Sequence, residues 1–347
     1  MSPRQALETL LRLNAEEAAL PDITPPFCSR LAERLGNLPL FAHSYPFVRN
    51  MDHGGFTTWD YLDFAFRNDL AGVCLHVNDG DRSCLSLMDD ATLERFRVRL
   101  EMLRLRLHLE ISSTEPAEVD RAIRIAGRLG VNNIRLYARH QGPLSAVIER
   151  VYADLAETAE KANRFALNFD YEQHEDLKAA EIADILTRIA DPRINALFDY
   201  TNSWNAFEEP LDALRILSPF VRQVHIKGGY RTVEATGWGQ MGVPQGDATD
   251  RLPGPLLLAE LAALGEDTPQ VICFALENEV DYYAPPFRGP DEPANPIIAY
   301  REPSQTPVPE GAELSKILRD ELRWAQQQIG VTRGLAAKLQ TLASLAQ

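Results

Sequence analysis

Three residues able to bind a metal recur at nearly equal intervals. Glu172, Asp199 and His225 lie 27 and 26 residues apart, and Glu277 follows 52 residues later. Three carboxylates and one imidazole form the donor set of a hard or borderline divalent cation. Mn²⁺ is the first choice, with Mg²⁺, Co²⁺ or Zn²⁺ as alternatives; zinc more often recruits further histidines. An interval of about 26 residues is one strand plus one helix, so side chains at this spacing reach equivalent heights on adjacent strands. The longer interval before Glu277 contains an insertion, Tyr230 to Leu252.

The strands that must present these residues are legible from alternation. In the stretch from Arg222 to Gly229, Gln223, His225 and Lys227 share one face, and Val224 and Ile226 the other. The run stops at two glycines, which places the imidazole and the ammonium at a strand end. Glu277 and Glu279 have the same parity. Val271, Cys273 and Ala275 are smaller than Ile272, Phe274 and Leu276, so the smaller set faces a crowded interior. That choice puts Glu277 inward at the rim and Glu279 beyond the strand.

The same pattern predicts eight strands: Leu38–Phe47, Gly72–Val77, Arg106–Ile111, Asn133–Arg139, Phe165–Glu172, Ile194–Tyr200, Arg222–Lys227 and Val271–Glu277. Helices are expected at Thr57–Leu70, Asp89–Met102, Pro116–Gly130, Pro143–Asn163, Leu177–Ala190, Pro210–Leu217, Pro253–Leu264 and Glu313–Ile329. Strand–helix alternation implies parallel strands with right-handed crossovers, and eight such units close into a (β/α)8 TIM barrel. A doubly wound open sheet would want a phosphate-binding glycine motif, and no G-x-G-x-x-G follows any strand. The expected organisation is one domain over residues 1–347. It comprises an N-terminal helical extension (1–36, with helices at Met1 to Leu20 and Cys28 to Leu35), the barrel (37–330) and a C-terminal helix (331–347). Long loops follow strands seven and eight, the second running from Tyr282 to Pro309 without periodicity.

Active sites of such barrels form at the C-terminal strand ends. Those ends carry, in order, His43, His76, Glu110, Arg139 with His140, Glu172 with His174, Asp199 with Asn202, His225 with Lys227, and Glu277 with Glu279.

Composition narrows the partners. A net charge of −15 argues against a nucleic-acid backbone, which wants a basic face. No run approaches the roughly 20 apolar residues of a membrane span, and the charged N-terminus does not read as a signal peptide. Cys28, Cys74, Cys84 and Cys273 are scattered without metal-type spacing. Cys74 and Cys273 fall inside apolar strands, as expected of buried thiols in a reducing cytoplasm. A homo-oligomer or a second subunit stays open, with the C-terminal loop and helix as candidate contacts.

The segments Tyr171–Leu177 (YEQHEDL), Phe198–Asn202 (FDYTN), Val224–Lys227 (VHIK) and Leu276–Glu277 resemble the four metal-ligand strands of the xylose isomerase-like sugar phosphate isomerase/epimerase superfamily. Gly242–Asp247 resembles the G-x-G loop after that family's seventh strand. The resemblance spans about Leu38 to Gly330. Two features depart from it: Gly228 follows Lys227, where the family usually has an acidic residue, and the region after the eighth strand is unusually long. That region carries Tyr282, Tyr283, Phe287, Arg288, Tyr300 and Arg301.

The superfamily resembled includes ketose epimerases, aldose–ketose isomerases, sugar dehydratases, decarboxylases and C-glycoside-cleaving lyases. The resemblance implies a divalent-metal-dependent isomerase or epimerase acting on a sugar or keto-sugar. Its reaction would remove a proton beside a carbonyl and hold a metal-stabilised enediolate. Glu172 and Glu277 would act as ligand and base, His174 and His225 would orient substrate and metal, and Lys227 would stabilise charge on oxygen. His43, His76, Glu110, Arg139, Asn202 and Arg231 would bind substrate, the two arginines mattering most for an acid or phosphate. A structural hydrogen bond would serve His76 and His108 equally well. The alternative is a metal-dependent lyase on a keto-sugar, and after that a non-catalytic sugar-binding barrel.

Overall fold

Eight short alternating runs become parallel strands in the computed structural model of the protein, which describes residues 1–301, 304–305 and 313–347. They are Leu40–His43, Gly72–His76, Arg106–Glu110, Asn133–Leu136, Asn168–Glu172, Ile194–Asp199, Val221–Ile226 and Cys273–Leu276. Each pairs with the next and the eighth pairs with the first, closing the expected barrel. No helix among the described residues is long and apolar enough to cross a membrane.

Local chemistry sets the helix ends. Thr57 caps Thr58–Arg67 in a reciprocal capping box with Asp60, and Asp89 caps Asp90–Leu103. Pro116 opens the helix Pro116–Leu129, and Gly130, at φ 66°, ends it. The strand ends come out shorter than the alternation suggests because the rim residues peel away from their neighbours into loops. The first of these loops coils at Tyr45–Phe47 and Val48–His53.

The outward faces of the strands pack on the helices as one large apolar core. The inward faces differ: Phe41, Cys74, Cys273 and Ala275 form a small separate cluster inside the barrel. His108, Asp170 and Gln223 are buried polar residues on the same inward strand faces. This agrees with the expected orientation of the eighth strand. Cys74 and Cys273, far apart in sequence, bring their Sγ atoms to 3.5 Å of each other inside the barrel. All four cysteines are free and buried.

The termini differ from expectation. The first helix covers only Pro3–Leu11, and the second starts earlier, at Pro25, because Thr24 caps it and two prolines fill its first turn. The helix expected at Glu313–Ile329 and the C-terminal helix expected at 331–347 are one continuous helix, Leu314–Leu345, so the division at residue 330 falls inside it. Gly330 costs about 1 kcal/mol in a helix interior. The buried stripe Ala325, Ile329, Thr332, Ala336, Leu339 and Ala343 runs straight past it. Packing of that stripe outweighs the glycine.

The insertion after strand seven is not irregular. Gly228–Glu234 and Gly237–Val243 form an antiparallel hairpin, and Tyr282–Ala284 and Ser304–Gln305 extend it to a four-stranded sheet. Residues 302–303 and 306–312, within the loop expected to run to Pro309 and just beyond it, lie outside the described residues. The hairpin also explains Gly228. A Cβ there would meet Gln245 Cα at 2.5 Å and Val243 O at 2.6 Å, so an acidic residue after Lys227 has no room.

Arg288 ties the same region to the barrel. Its guanidinium pairs with Glu181 Oε2 at 2.8 Å and Glu292 Oε2 at 2.7 Å, and Lys178 Nζ adds a contact to Glu292 at 2.6 Å. Burial would raise Glu292, but hydrogen bonds from Arg288 and Lys178 hold its carboxyl at about 2, below its ordinary 4.5. A depressed carboxylate contributes stability above pH 4.5 and loses it as pH falls toward 2. Hydrogen-exchange protection of residues 285–298, corrected for intrinsic rates, should therefore collapse across that window. In Glu292→Gln it should already be lost at neutral pH. Unchanged protection in both experiments would show that the tether does not hold the segment.

Candidate metal and sugar site

The inward residues at the strand ends converge on two groups, Glu110 and His225. Glu110 is fully buried and lies 2.8 Å from His43 Nε2, 2.8 Å from Arg135 Nη2 and 3.4 Å from His225 Nε2. His43 Nδ1 accepts the Tyr45 backbone N–H at 3.1 Å, so His43 carries its proton on Nε2 and donates to Glu110. Burial works against ionisation of Glu110, yet Arg135 and His43 hold its carboxyl well below the usual range.

His225 turns its other nitrogen, Nδ1, toward three carboxylates. Glu277 Oε2 is 2.8 Å away, Asp199 Oδ2 3.6 Å and Glu172 Oε1 3.8 Å. Four buried atoms here, Glu172 Oε2, Asp199 Oδ2, His225 Nδ1 and Glu277 Oε2, make ion contacts but no hydrogen bond. Glu172, Asp199 and His225 present ligand atoms within 4.8 Å of one another, and so do His43, His225 and Glu277. His225 is common to both groups. One imidazole nitrogen donating to a carboxylate while the other faces a donor cluster is the arrangement that orients a metal-ligating histidine.

Cations balance the acids. Lys227 Nζ lies 2.8 Å from Asp199 Oδ2, 3.2 Å from Glu277 Oε2 and 2.6 Å from Glu279 Oε2. Burial opposes the lysine's charge, but these carboxylates keep it an ammonium. Burial alone would also neutralise His225; the surrounding acids, Glu277 foremost, raise its pKa well above the ordinary value. Glu277 is held low by His225, His43 and Lys227 against its own burial, whereas burial raises Glu172 despite Arg135. Glu279 contacts Lys227 rather than His225, and burial pushes its carboxyl up to about 8. The geometry thus favours Glu277 over Glu279 as the fourth donor.

Above this cluster opens a cavity of about 580 Å³. Glu172, Glu277, Lys227, His43 and Glu110 reach it from below, while Asp199 and His225 sit beneath its floor. His76 lines it beside Ser112 Oγ at 3.2 Å. His174 stacks on Tyr137 with centroids 3.8 Å apart, and burial with Arg139 and Arg135 nearby keeps its imidazole neutral. Arg139 lies at the mouth, bonded to Tyr300 Oη at 3.1 Å and Tyr137 Oη at 2.7 Å. Asn202 donates to Glu172 Oε1 at 3.2 Å and accepts from Gln240 at 3.0 Å.

One expectation needs correction. Arg231 does not line the cavity; it stacks over Trp238 on the hairpin, 4.1 Å from the ring centroid, and pairs with Glu209. Strand alternation within the hairpin turns it outward, which loop-based reading could not foresee. Arg139 lines the cavity at its mouth, and the fourth strand adds a buried cation that was not among the expected residues, Arg135. Arg135 Nε lies 2.9 Å from Glu172 Oε2, bridging Glu172 to Glu110. The signal was present: Asn133, Arg135 and Tyr137 alternate with Ile134, Leu136 and Ala138. Glu175 and Tyr282 also line the cavity, joined by a 2.9 Å hydrogen bond. Tyr282 reaches it only through the sheet that follows the barrel.

The closed parallel barrel, with its polar cluster at the C-terminal strand ends, defines a (β/α)8 protein whose functional face is the one opposite the strand starts. The chain belongs to the xylose isomerase-like TIM barrel family, whose profile matches residues 85–281. It is 39% identical over 310 residues to YihM, an uncharacterised protein of Escherichia coli strain K12, the match covering 89% of this chain and 94% of YihM. Among solved structures, the IolI protein with a bound zinc atom superposes with a TM-score of 0.57 at 12% identity, covering 85% of this chain and 98% of IolI. A D-psicose 3-epimerase from Clostridium cellulolyticum H10, solved with D-tagatose, gives 0.55 at 12% identity, covering 86% and 99%.

Proposed function

We propose that the protein is a divalent-metal-dependent isomerase or epimerase of a sugar or keto-sugar. The observation that carries this is the group of four buried donor atoms without hydrogen bonds around His225, beneath a polar cavity large enough for a sugar. Glu172, Asp199, His225 and Glu277 would hold the ion, and Mn²⁺ suits their carboxylate-rich set best. When bound, the ion supplies Lewis-acid polarisation of a substrate carbonyl.

The chain's own groups do the rest. Glu172, whose burial raises its proton affinity, takes the proton from the carbon beside the carbonyl. Arg135, 2.9 Å away, limits how far that affinity rises. Glu277 faces the cavity from the eighth strand as the second carboxylate of the pair, on the side from which epimerisation requires a proton to return. Lys227 compensates negative charge on a substrate oxygen, and Arg139, His76 and neutral His174 orient hydroxyls or an acidic group.

Incubation with D-psicose or D-tagatose and Mn²⁺ in D₂O should place solvent deuterium beside the carbonyl, and Glu172→Gln should slow this by about 100-fold or more. A panel of keto-sugars extends the test if these two are not substrates. A second reading, a lyase, draws on Glu279, a further buried carboxyl in the cavity with its pKa pushed up to about 8, as the acid that protonates a departing hydroxyl. Loss of water or CO₂ from the sugar would favour it. No exchange and no loss across the panel would leave only the sugar-binding reading.

A further inference from the structure

The barrel interior holds a second donor cluster, below the rim site and chemically unlike it. Cys74, on strand two, and Cys273, on strand eight, are fully buried free thiols with Sγ atoms 3.5 Å apart. His108, on strand three, is buried beside them, and one ligand atom from each of the three lies within 4.8 Å of the others. Two sulfurs each about 2.3 Å from a tetrahedral zinc ion would stand about 3.8 Å apart, so the observed separation is within a few tenths of an ångström of two thiolates sharing one ion.

The surroundings fix the imidazole for that role. His108 Nδ1 is 2.8 Å from Gln223 Oε1, and Gln223 Nε2 donates to the buried Asp170 carboxylate. An amide whose N–H₂ is committed to a carboxylate offers only its oxygen to the histidine. Nδ1 is therefore the protonated nitrogen, and Nε2 is left to act as a ligand. This is the outer hydrogen bonding that orients metal-bound histidines. A cavity of about 390 Å³ on the opposite face of the barrel is lined by His108 and by Ile272, the neighbour of Cys273.

From this arrangement we infer a soft-metal site in the barrel floor, in which Cys74 Sγ, Cys273 Sγ and His108 Nε2 bind one thiophilic d¹⁰ cation, zinc(II) or copper(I). Binding displaces two protons, one from Cys74 and one shared by Cys273 and His108. The cavity is also lined by Arg97, Arg104 and Arg106, so a free dication should load slowly. The site is independent of the rim quartet, which contains no sulfur.

The test is a slow titration of the reduced protein with Cd²⁺, read by the ultraviolet thiolate-to-metal charge-transfer band. One equivalent of sulfur-bound cadmium is expected in wild type, with the band lost in Cys74→Ala and in Cys273→Ala and retained in His225→Ala. Should the cysteine variants fail to fold, anomalous diffraction from wild-type crystals grown with Cd²⁺ decides. The inference requires a peak between the two sulfurs and His108. No band in fully reduced wild type, a band surviving both substitutions, or an anomalous peak only at the rim would each overturn it. None of these outcomes bears on the rim site, whose metal is read separately by its dependence on His225.

Discussion

His225→Ala is expected to abolish metal retention at the rim of the barrel. Wild-type protein purified with Mn²⁺ should hold about one rim ion per chain, and the variant should bind at least ~100-fold more weakly. Loss of an outer hydrogen bond alone typically costs 10–100-fold in affinity, and here a ligand itself is removed. The effect should exceed that of losing any single carboxylate, because His225 belongs to both groups of converging donors. Its replacement also frees Glu110 Oε1 from its 3.4 Å partner. Elemental analysis with a Mn²⁺ binding isotherm checks the expectation. Equal retention by wild type and variant would remove His225 from the ligand set, and retention by neither would sink the metal-dependent reading.

Arg135→Met should produce the largest loss of stability of any single substitution in the site. The guanidinium is buried and lies 2.8 Å from Glu110 and 2.9 Å from Glu172. Methionine keeps much of the side-chain volume but leaves two buried carboxylates without their shared cation. Breaking a buried ion pair from one side typically costs about 3–5 kcal/mol, because the surviving charge stays desolvated. A neutral partner relieves that penalty, so Glu110→Gln combined with Arg135→Met should be less destabilised than Arg135→Met alone. Arg135→Lys keeps the charge but cannot span both acids, and should fall between wild type and methionine. Denaturant unfolding followed by circular dichroism gives all four values. A loss under about 1 kcal/mol for Arg135→Met would mean that the acids find other compensation, His225 lying 3.4 Å from Glu110 and 3.8 Å from Glu172.

How far the site was readable beforehand follows from which interactions are local. Alternation along a strand is a backbone property, so Gln223, His225 and Lys227 facing inward, and Cys273, Ala275 and Glu277 doing the same, could be read from residue order. The 26- and 27-residue intervals placed Glu172, Asp199 and His225 at matching heights because each β/α unit spends a similar length of chain. The same parity turns Arg135 inward on strand four, below the strand end that carries Arg139.

Other features depend on what meets across the molecule. The hairpin that turns Arg231 onto Trp238 pairs with a strand more than forty residues later, and no local pattern announces that partner. Gly330 reads as a helix break until the apolar stripe on either side finds one continuous groove to fill. Cys74, His108 and Cys273 look unrelated along the chain, since barrel closure alone sets strands two and eight on either side of strand one and turns all three side chains into the same interior. Residue order by itself determined the eight units, their inward faces and the acid–imidazole set at the rim, because backbone periodicity and spacing act locally. Tertiary structure alone decided which cation neutralises the acids, which loop residues reach the cavity, and that two distant thiols share a histidine. Those outcomes depend on long-range pairing and desolvation, which take effect only once the barrel is closed.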